Sequence, residues 1–151
     1  MDAIVCDTSS LIRLYKSDTL HLLSQGFERI WIPEPVWHEC SAALQDALNV
    51  NAFVRASPSA DIVGKYGQGE RAMLNLALEL GVQYVLTDDD KASNEAVRLN
   101  LIALAALDLL VILKRLGAPL SVRVAVERMR AARERIDESA VRQALTDAGE
   151  A

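Results

Sequence analysis

The chain has 151 residues, 51% of them hydrophobic, which is the size of one domain able to bury a sizeable core. A net charge of −5 and a pI near 5.0 argue against a general polyanion-binding surface, though not against a local basic groove. Two cysteines and two histidines without metal-ligand spacing leave oxygen to hold any metal. No apolar run approaches the roughly 18 residues of a membrane span, so a cytoplasmic protein with reduced thiols is expected.

In chain order, Ala3-Ile4-Val5-Cys6 reads as a strand that stops at Asp7, and Thr8-Ser9-Ser10 leads into the helical pattern Leu11 to Tyr15. A second helix is predicted over 19–23, closed by Gly26, and a strand over 29–32 stops at Pro33. The third helix is predicted as one piece over 34–48, with Val36, Cys40, Ala43, Leu44 and Ala47 on its apolar stripe. After a short segment at 53–55 and a loop with Pro58, Gly64, Gly67 and Gly69, a nearly all-apolar helix over 70–80 ends at Gly81 and must be buried. A strand over 84–86, an acidic turn, a helix to Arg98, a strand over 101–103 and a helix over 107–116 follow, the last stopped by Gly117. Strands alternating with helices predict an α/β fold with a mostly parallel sheet. Beyond Pro119 two charged amphipathic helices are expected, over 122–135 and 138–145.

The informative stretch is Val85-Leu86-Thr87-Asp88-Asp89-Asp90, an apolar run that breaks into three carboxylates. A helix start at Lys91 explains one acid as a cap, but not three. In an open parallel sheet, functional residues collect beyond the carboxyl ends of the strands, where both Asp7 and the Asp88–Asp90 group fall. Glu70 opens the buried helix, where the helix dipole alone explains a carboxylate. Glu39 lies on the flank of the third helix's stripe, where it reaches either a cleft or water. Cys6 alternates with Asp7 and should pack on the opposite side. Trp31 and Trp37 read as packing residues rather than base-stacking platforms.

The ordered set Val-Cys-Asp-Thr-Ser-Ser-Leu-Ile, Ile-Pro-Glu-Pro-Val-Trp-His-Glu-Cys, Gly-Glu-Arg-Ala and Leu-Thr-Asp-Asp-Asp resembles a PIN domain over about residues 3–117. The resemblance is to compact prokaryotic PIN-like proteins, including VapC-like toxin ribonucleases encoded beside an antitoxin. It implies a three-layer α/β/α sandwich and one domain over 1–151, the tail helices forming an extension over about 121–147. It makes Asp7, Glu39, Glu70 and either Asp88 or Asp89 both catalytic and metal-binding, with Ser9 and Thr87 in support. In place of a Gly-Thr-x-Gly turn the chain has Ala105-Ala106-Leu107-Asp108, so the site's rim is expected to differ.

Four or five carboxylates suit one or two Mg2+ or Mn2+ ions, hard cations that take oxygen ligands. Such ions would activate water against a phosphodiester, giving a metal-dependent endoribonuclease that needs no histidine or serine nucleophile. Arg13, Lys16, Arg71, Lys91 and Arg98 flank the motifs and are candidate phosphate contacts, though each reads more readily as an ordinary solvated charge. RNA is the expected substrate, with an antitoxin and a second copy of the chain as further partners. The alternatives are a non-catalytic PIN-like module that binds nucleic acid or protein, and an unrelated α/β acid-site protein such as a phosphoacceptor receiver or Toprim-like domain.

Overall fold

The computed structural model of the protein describes residues 1–61 and 67–151; Gly64 lies outside them. Five parallel strands form one sheet in the order β3-β2-β1-β4-β5: β1 (Ala3–Cys6), β2 (Arg29–Pro33), β3 (Phe53–Ala56), β4 (Tyr84–Leu86) and β5 (Ile102–Leu104). Helices α1 (Thr8–Lys16), α2 (Glu34–Glu39), α3 (Ala42–Leu48), α4 (Gln68–Leu80), α5 (Asp90–Arg98) and α6 (Ala106–Arg115) alternate with the strands, and α7 (Val122–Ala131) and α8 (Glu138–Asp147) close the chain. This is the expected α/β class with a parallel sheet.

Both faces of the sheet are covered, because a parallel sheet has helices in its crossovers. The alternation of side chains along β1 divides the core accordingly. Ile4 and Cys6 join a cluster with Leu11 and Leu14 of α1, Leu109, Leu110 and Leu113 of α6, and Val126 and Met129 of α7. Val5 and Val85 face the other way, against Met73, Leu76 and Ala77 of α4 and Ala92 and Ala96 of α5. The apolar helix α4 is thus buried as its composition requires, and it stops where Gly81 takes φ +66, a left-handed value that glycine tolerates without strain.

Beyond shifts of one or two residues at element ends, the structure departs from the predicted elements chiefly as follows. The helix predicted over 34–48 is two helices, because Cys40 is extended and the Ser41 hydroxyl accepts the Leu44 N–H (3.2 Å), starting a new N-terminus. The break shifts the helical phase, so Val36, Cys40 and Leu44 are buried while Ala43 is exposed. Residues Leu20–Gln25 form a 3-10 turn rather than an α-helix, and β5 sits one residue later than predicted. Helix α7 stops at Ala131, short of Arg135, and Arg133 follows with φ +64.

Tail helices α7 and α8 pack on α6 through Val122, Ala125, Met129, Val141 and Ala144. Glu150 fastens the end of the chain. Its carboxylate accepts from Val122 N (2.7 Å), Arg123 N (3.1 Å) and Ser121 Oγ (2.8 Å) at the start of α7, and pairs with Lys114 Nζ (2.8 Å).

Candidate functional site

The pairing of β1 with β4 aligns Cys6 with Leu86, so the residues that follow each strand emerge side by side. Asp7 N–H donates to Leu86 O (2.9 Å), and the Thr87 hydroxyl donates to Asp7 Oδ2 (3.0 Å). Asp7 Oδ1 accepts the Thr8 N–H (2.7 Å), so this carboxylate also caps α1. It is only 3% exposed. Asp7 therefore caps α1 while its carboxylate stays buried at the strand end.

Glu39 and Glu70 arrive from the packed pair α2 and α4. The chain break after Glu39 leaves it at the end of α2, and its carboxylate lies over the first turn of α4: a methyl group at Gly69 would stand 2.5 Å from Glu39 Oε1. Glu70 folds back over Gly67, where a methyl group would collide with its carboxylate. Two glycines thus clear the space that these acids fill.

Asp7 and Glu39 both feel the charge of Glu70. Burial, then the charge of Glu70, then that of Glu39 raise the Asp7 pKa to about 6 against the opposing Thr8 N–H and Thr87 hydroxyl. Glu39 is raised by its burial and by Glu70, with the Thr8 hydroxyl pulling the other way. That hydroxyl is near enough for its dipole to act on Glu39, yet Thr8 Oγ1 is buried and has no partner in hydrogen-bond geometry.

Asp88 and Asp89 diverge. Asp88 Oδ1 pairs with Arg13 Nη1 (2.8 Å), Oδ2 accepts from Ser10 Oγ (2.6 Å), and Ala106 N–H lies 3.3 Å from Oδ2. Asp89 Oδ2 caps α5 at Ala92 N (2.8 Å), and its own N–H donates to Thr87 Oγ1 (3.2 Å). Thr87 therefore links Asp89 to Asp7. Asp108 reaches back to Ala105 N (2.9 Å) and closes the start of α6, which accounts for an acid in a turn without glycine.

Ser9, expected in support, is exposed and hydrogen-bonds to none of the acids among the described residues; its neighbours Thr8 and Ser10 are the buried hydroxyls. Of the candidate cations, Arg13 is held by Asp88, Glu134 Oε1 (3.4 Å) and the Arg135 carbonyl (2.6 Å), and Lys16 by Glu134 (3.1 Å). Arg71 pairs with Asp61 (3.2 Å), and Arg98 with Glu95 on its own helix. Lys91 is exposed and forms no ion pair with a described residue. Trp37 stacks under Arg55, whose guanidinium carbon is 4.3 Å from the ring centroid, in keeping with a packing role.

Asp7, Glu39 and Glu70 form an electrostatically coupled group, although among the described residues no three acidic, His or Cys side chains stand at the spacing of a closed ligand cage. The groups offered are all oxygen, and among the described residues none of the three acids forms an ion pair and the buried Thr8 hydroxyl has no partner in hydrogen-bond geometry; a hard divalent cation is the kind of ion that takes oxygen ligands.

No curated protein matches the chain. A solved PilT N-terminus domain protein from the hyperthermophilic archaeon Sulfolobus solfataricus P2 is 15% identical, the match covering 80% of this chain and 98% of that one with a TM-score of 0.47. The DUF3368 family model, described as a PIN domain, matches residues 3–150, and by that match over nearly its whole length the chain belongs to the PIN-domain family.

Proposed function

We propose that the chain is a divalent-metal-dependent endoribonuclease in which Asp7, Glu39, Glu70 and Asp89 hold Mg2+ or Mn2+. PIN domains are typically nucleases, and the observation that carries the finer reading is the raised pKa of Asp7, about 6, imposed by burial and by Glu70 and Glu39. Like charges gathered around a buried carboxylate are a burden on the fold unless a cation neutralises them.

Asp88 is neutralised by Arg13, so its charge asks for no metal. Asp89 keeps Oδ1 unbonded among the described residues while Oδ2 caps α5, and the Thr87 hydroxyl orients it relative to Asp7. Bound cations would supply an activated water and neutralise charge on the scissile phosphate. Thr87 and the Thr8 N–H fix the Asp7 rotamer, and Gly67 and Gly69 leave room for the two glutamates. Lys91, exposed at the start of α5 beside Asp89, is the cation best placed to meet the RNA backbone.

The test combines Mn2+ binding with cleavage of a single-stranded RNA, using the wild-type chain and Asp7→Asn. Metal-dependent cleavage that disappears in the variant supports the reading. Absence of both Mn2+ binding and cleavage overturns it in favour of a non-catalytic PIN module, a reading favoured by the lack, among the described residues, of three acidic, His or Cys side chains grouped to hold an ion. A toxin role is a further step of the same proposal, and a neighbouring gene for a small DNA-binding antitoxin is its test.

A further inference from the structure

Arg13 and Lys16 stand three residues apart on α1 and so project as neighbours from one face of the helix. One carboxylate bridges them: Glu134 Oε1 lies 3.4 Å from Arg13 Nε, and Oε2 lies 3.1 Å from Lys16 Nζ. The Arg135 carbonyl adds a third oxygen, 2.6 Å from Arg13 Nη2. Nη1 of the same guanidinium reaches Asp88 (2.8 Å), the residue before Asp89. A guanidinium and an ammonium that share one oxyanion, next to the acidic turn, make the kind of contact that an RNA phosphate takes. Here the chain's own oxygens stand in that place.

Cations that could meet RNA are otherwise scarce. At a net charge of −5 the protein repels a polyanion, and of the five cations that flank the motifs, Lys91 is the one that forms no ion pair with a described residue. Single-stranded RNA is held by several phosphate contacts along a groove, which one lysine does not supply. The Arg13–Lys16 pair, tied to the acidic turn through Asp88, supplies two more.

The carboxylate can leave without dismantling the fold. After α7 the chain turns through Arg133 (φ +64), and the Glu134 N–H bonds back to Met129 O (3.0 Å). Met129 is buried in the core that includes Leu11 and Leu14 of α1, and Ile136 packs on the same core. These contacts fix the backbone of the α7–α8 connection wherever the Glu134 side chain points. The side chains of Glu134 and Lys16 are partly exposed, and ion pairs of that kind contribute little to stability.

We propose that Arg13 and Lys16 form an RNA-phosphate site that Glu134 occupies in the free protein, so that the α7–α8 connection competes with RNA for it. This rests on the RNA reading above. It adds a restraint to that reading: RNA gains these two contacts only by displacing Glu134, so the tail extension lowers the affinity of the site beside it.

Binding of a fluorescently labelled single-stranded RNA to the full chain tests it, followed by anisotropy in chelator at several salt concentrations, together with thermal unfolding. Glu134→Gln is expected to bind about three- to tenfold more tightly, and its log affinity to fall more steeply with log salt, by about 0.7 for each phosphate contact unmasked. Lys16→Gln alone is expected to stay within about twofold of wild type, because the site is masked, and to remove most of the gain when added to Glu134→Gln. Glu127→Gln makes the same charge change at an exposed position of α7 and is expected to stay within about twofold with an unchanged salt slope. All variants are expected to melt within about 4 °C of wild type. Wild-type affinity and slope in Glu134→Gln, an equal gain in Glu127→Gln, or a gain that survives Lys16→Gln overturns the proposal and leaves the RNA reading standing. A Glu134→Gln chain that melts far below wild type makes the bridge structural and also overturns it. RNA binding by none of the chains overturns the RNA reading itself, and this inference with it.

Discussion

Arg13 Nη1 lies 2.8 Å from Asp88 Oδ1, so one acid of the triplet after β4 is neutralised from within the chain. The same guanidinium is held by Glu134 and by the Arg135 carbonyl, tying the acidic turn to the segment between α7 and α8. Asp88 and Asp89, adjacent in sequence, therefore do different work.

Asp88→Asn is expected to destabilise the protein by about 1–2 kcal/mol, because it weakens a largely desolvated charged contact, while leaving Mn2+ affinity within about threefold. Asp89→Asn is expected to do the reverse. Asparagine caps a helix as well as aspartate does, so the melting temperature holds, while Mn2+ affinity falls by about tenfold or more. Parallel thermal unfolding and calorimetry check both, and the opposite pattern would reassign the fourth ligand to Asp88.

Asp7 makes metal-free stability depend on pH. Its pKa is raised from 3.8 to about 6, so the folded chain holds this proton more tightly than the unfolded chain. The stabilisation from protonation is full below 3.8, and it is lost as pH rises through about 6. Asp7→Asn should therefore raise metal-free stability at pH 7 by about 1–2 kcal/mol and flatten this dependence while abolishing Mn2+ binding. Urea unfolding in chelator at pH 5 and pH 7 is the measurement, and a variant less stable than wild type at pH 7 would contradict it.

Gly69 leaves room for Glu39. Alanine at position 69 is a better helix residue than glycine by about 0.5–1 kcal/mol, but its methyl group would stand 2.5 Å from Glu39 Oε1 and push that carboxylate away. Gly69→Ala is expected to keep or raise the melting temperature and to lower Mn2+ affinity about five- to tenfold. Unchanged affinity would show that Glu39 has another equally good position.

Glu150 should govern the attachment of the tail. Burial raises its pKa, but Lys114, the Ser121 hydroxyl and the Val122 and Arg123 amides outweigh burial and bring it down to about 2. Its contribution is present above its ordinary value of 4.5 and lost as pH falls through about 2. Glu150→Gln is expected to cost about 1–3 kcal/mol at pH 7, with the difference from wild type shrinking toward pH 2. Denaturant titrations across that range check it, and a pH-independent difference would assign the effect to packing.

The α/β class and strand–helix alternation were legible because period and punctuation are local. Gly81 and Gly117 stop their helices where expected, and the apolar helix α4 is buried as its composition demands. The break at Cys40 and Ser41 was harder to read, since the apolar stripe runs through it and only the capping hydroxyl of Ser41 marks it.

In sequence Asp7 stands at a strand end, Glu70 at a helix start and Glu39 on a helix flank, and it is the resemblance to a PIN domain that joins the three into one set. Their mutual influence was decided by strand order: β1 pairs with β4, and α2 packs on α4, which brings positions far apart in the chain within electrostatic reach. The separate tasks of Asp88 and Asp89 and the unpartnered hydroxyl of Thr8 also belong to tertiary structure. Sequence fixes which groups carry charge or a proton; which of them a neighbour satisfies depends on side chains that only folding brings together.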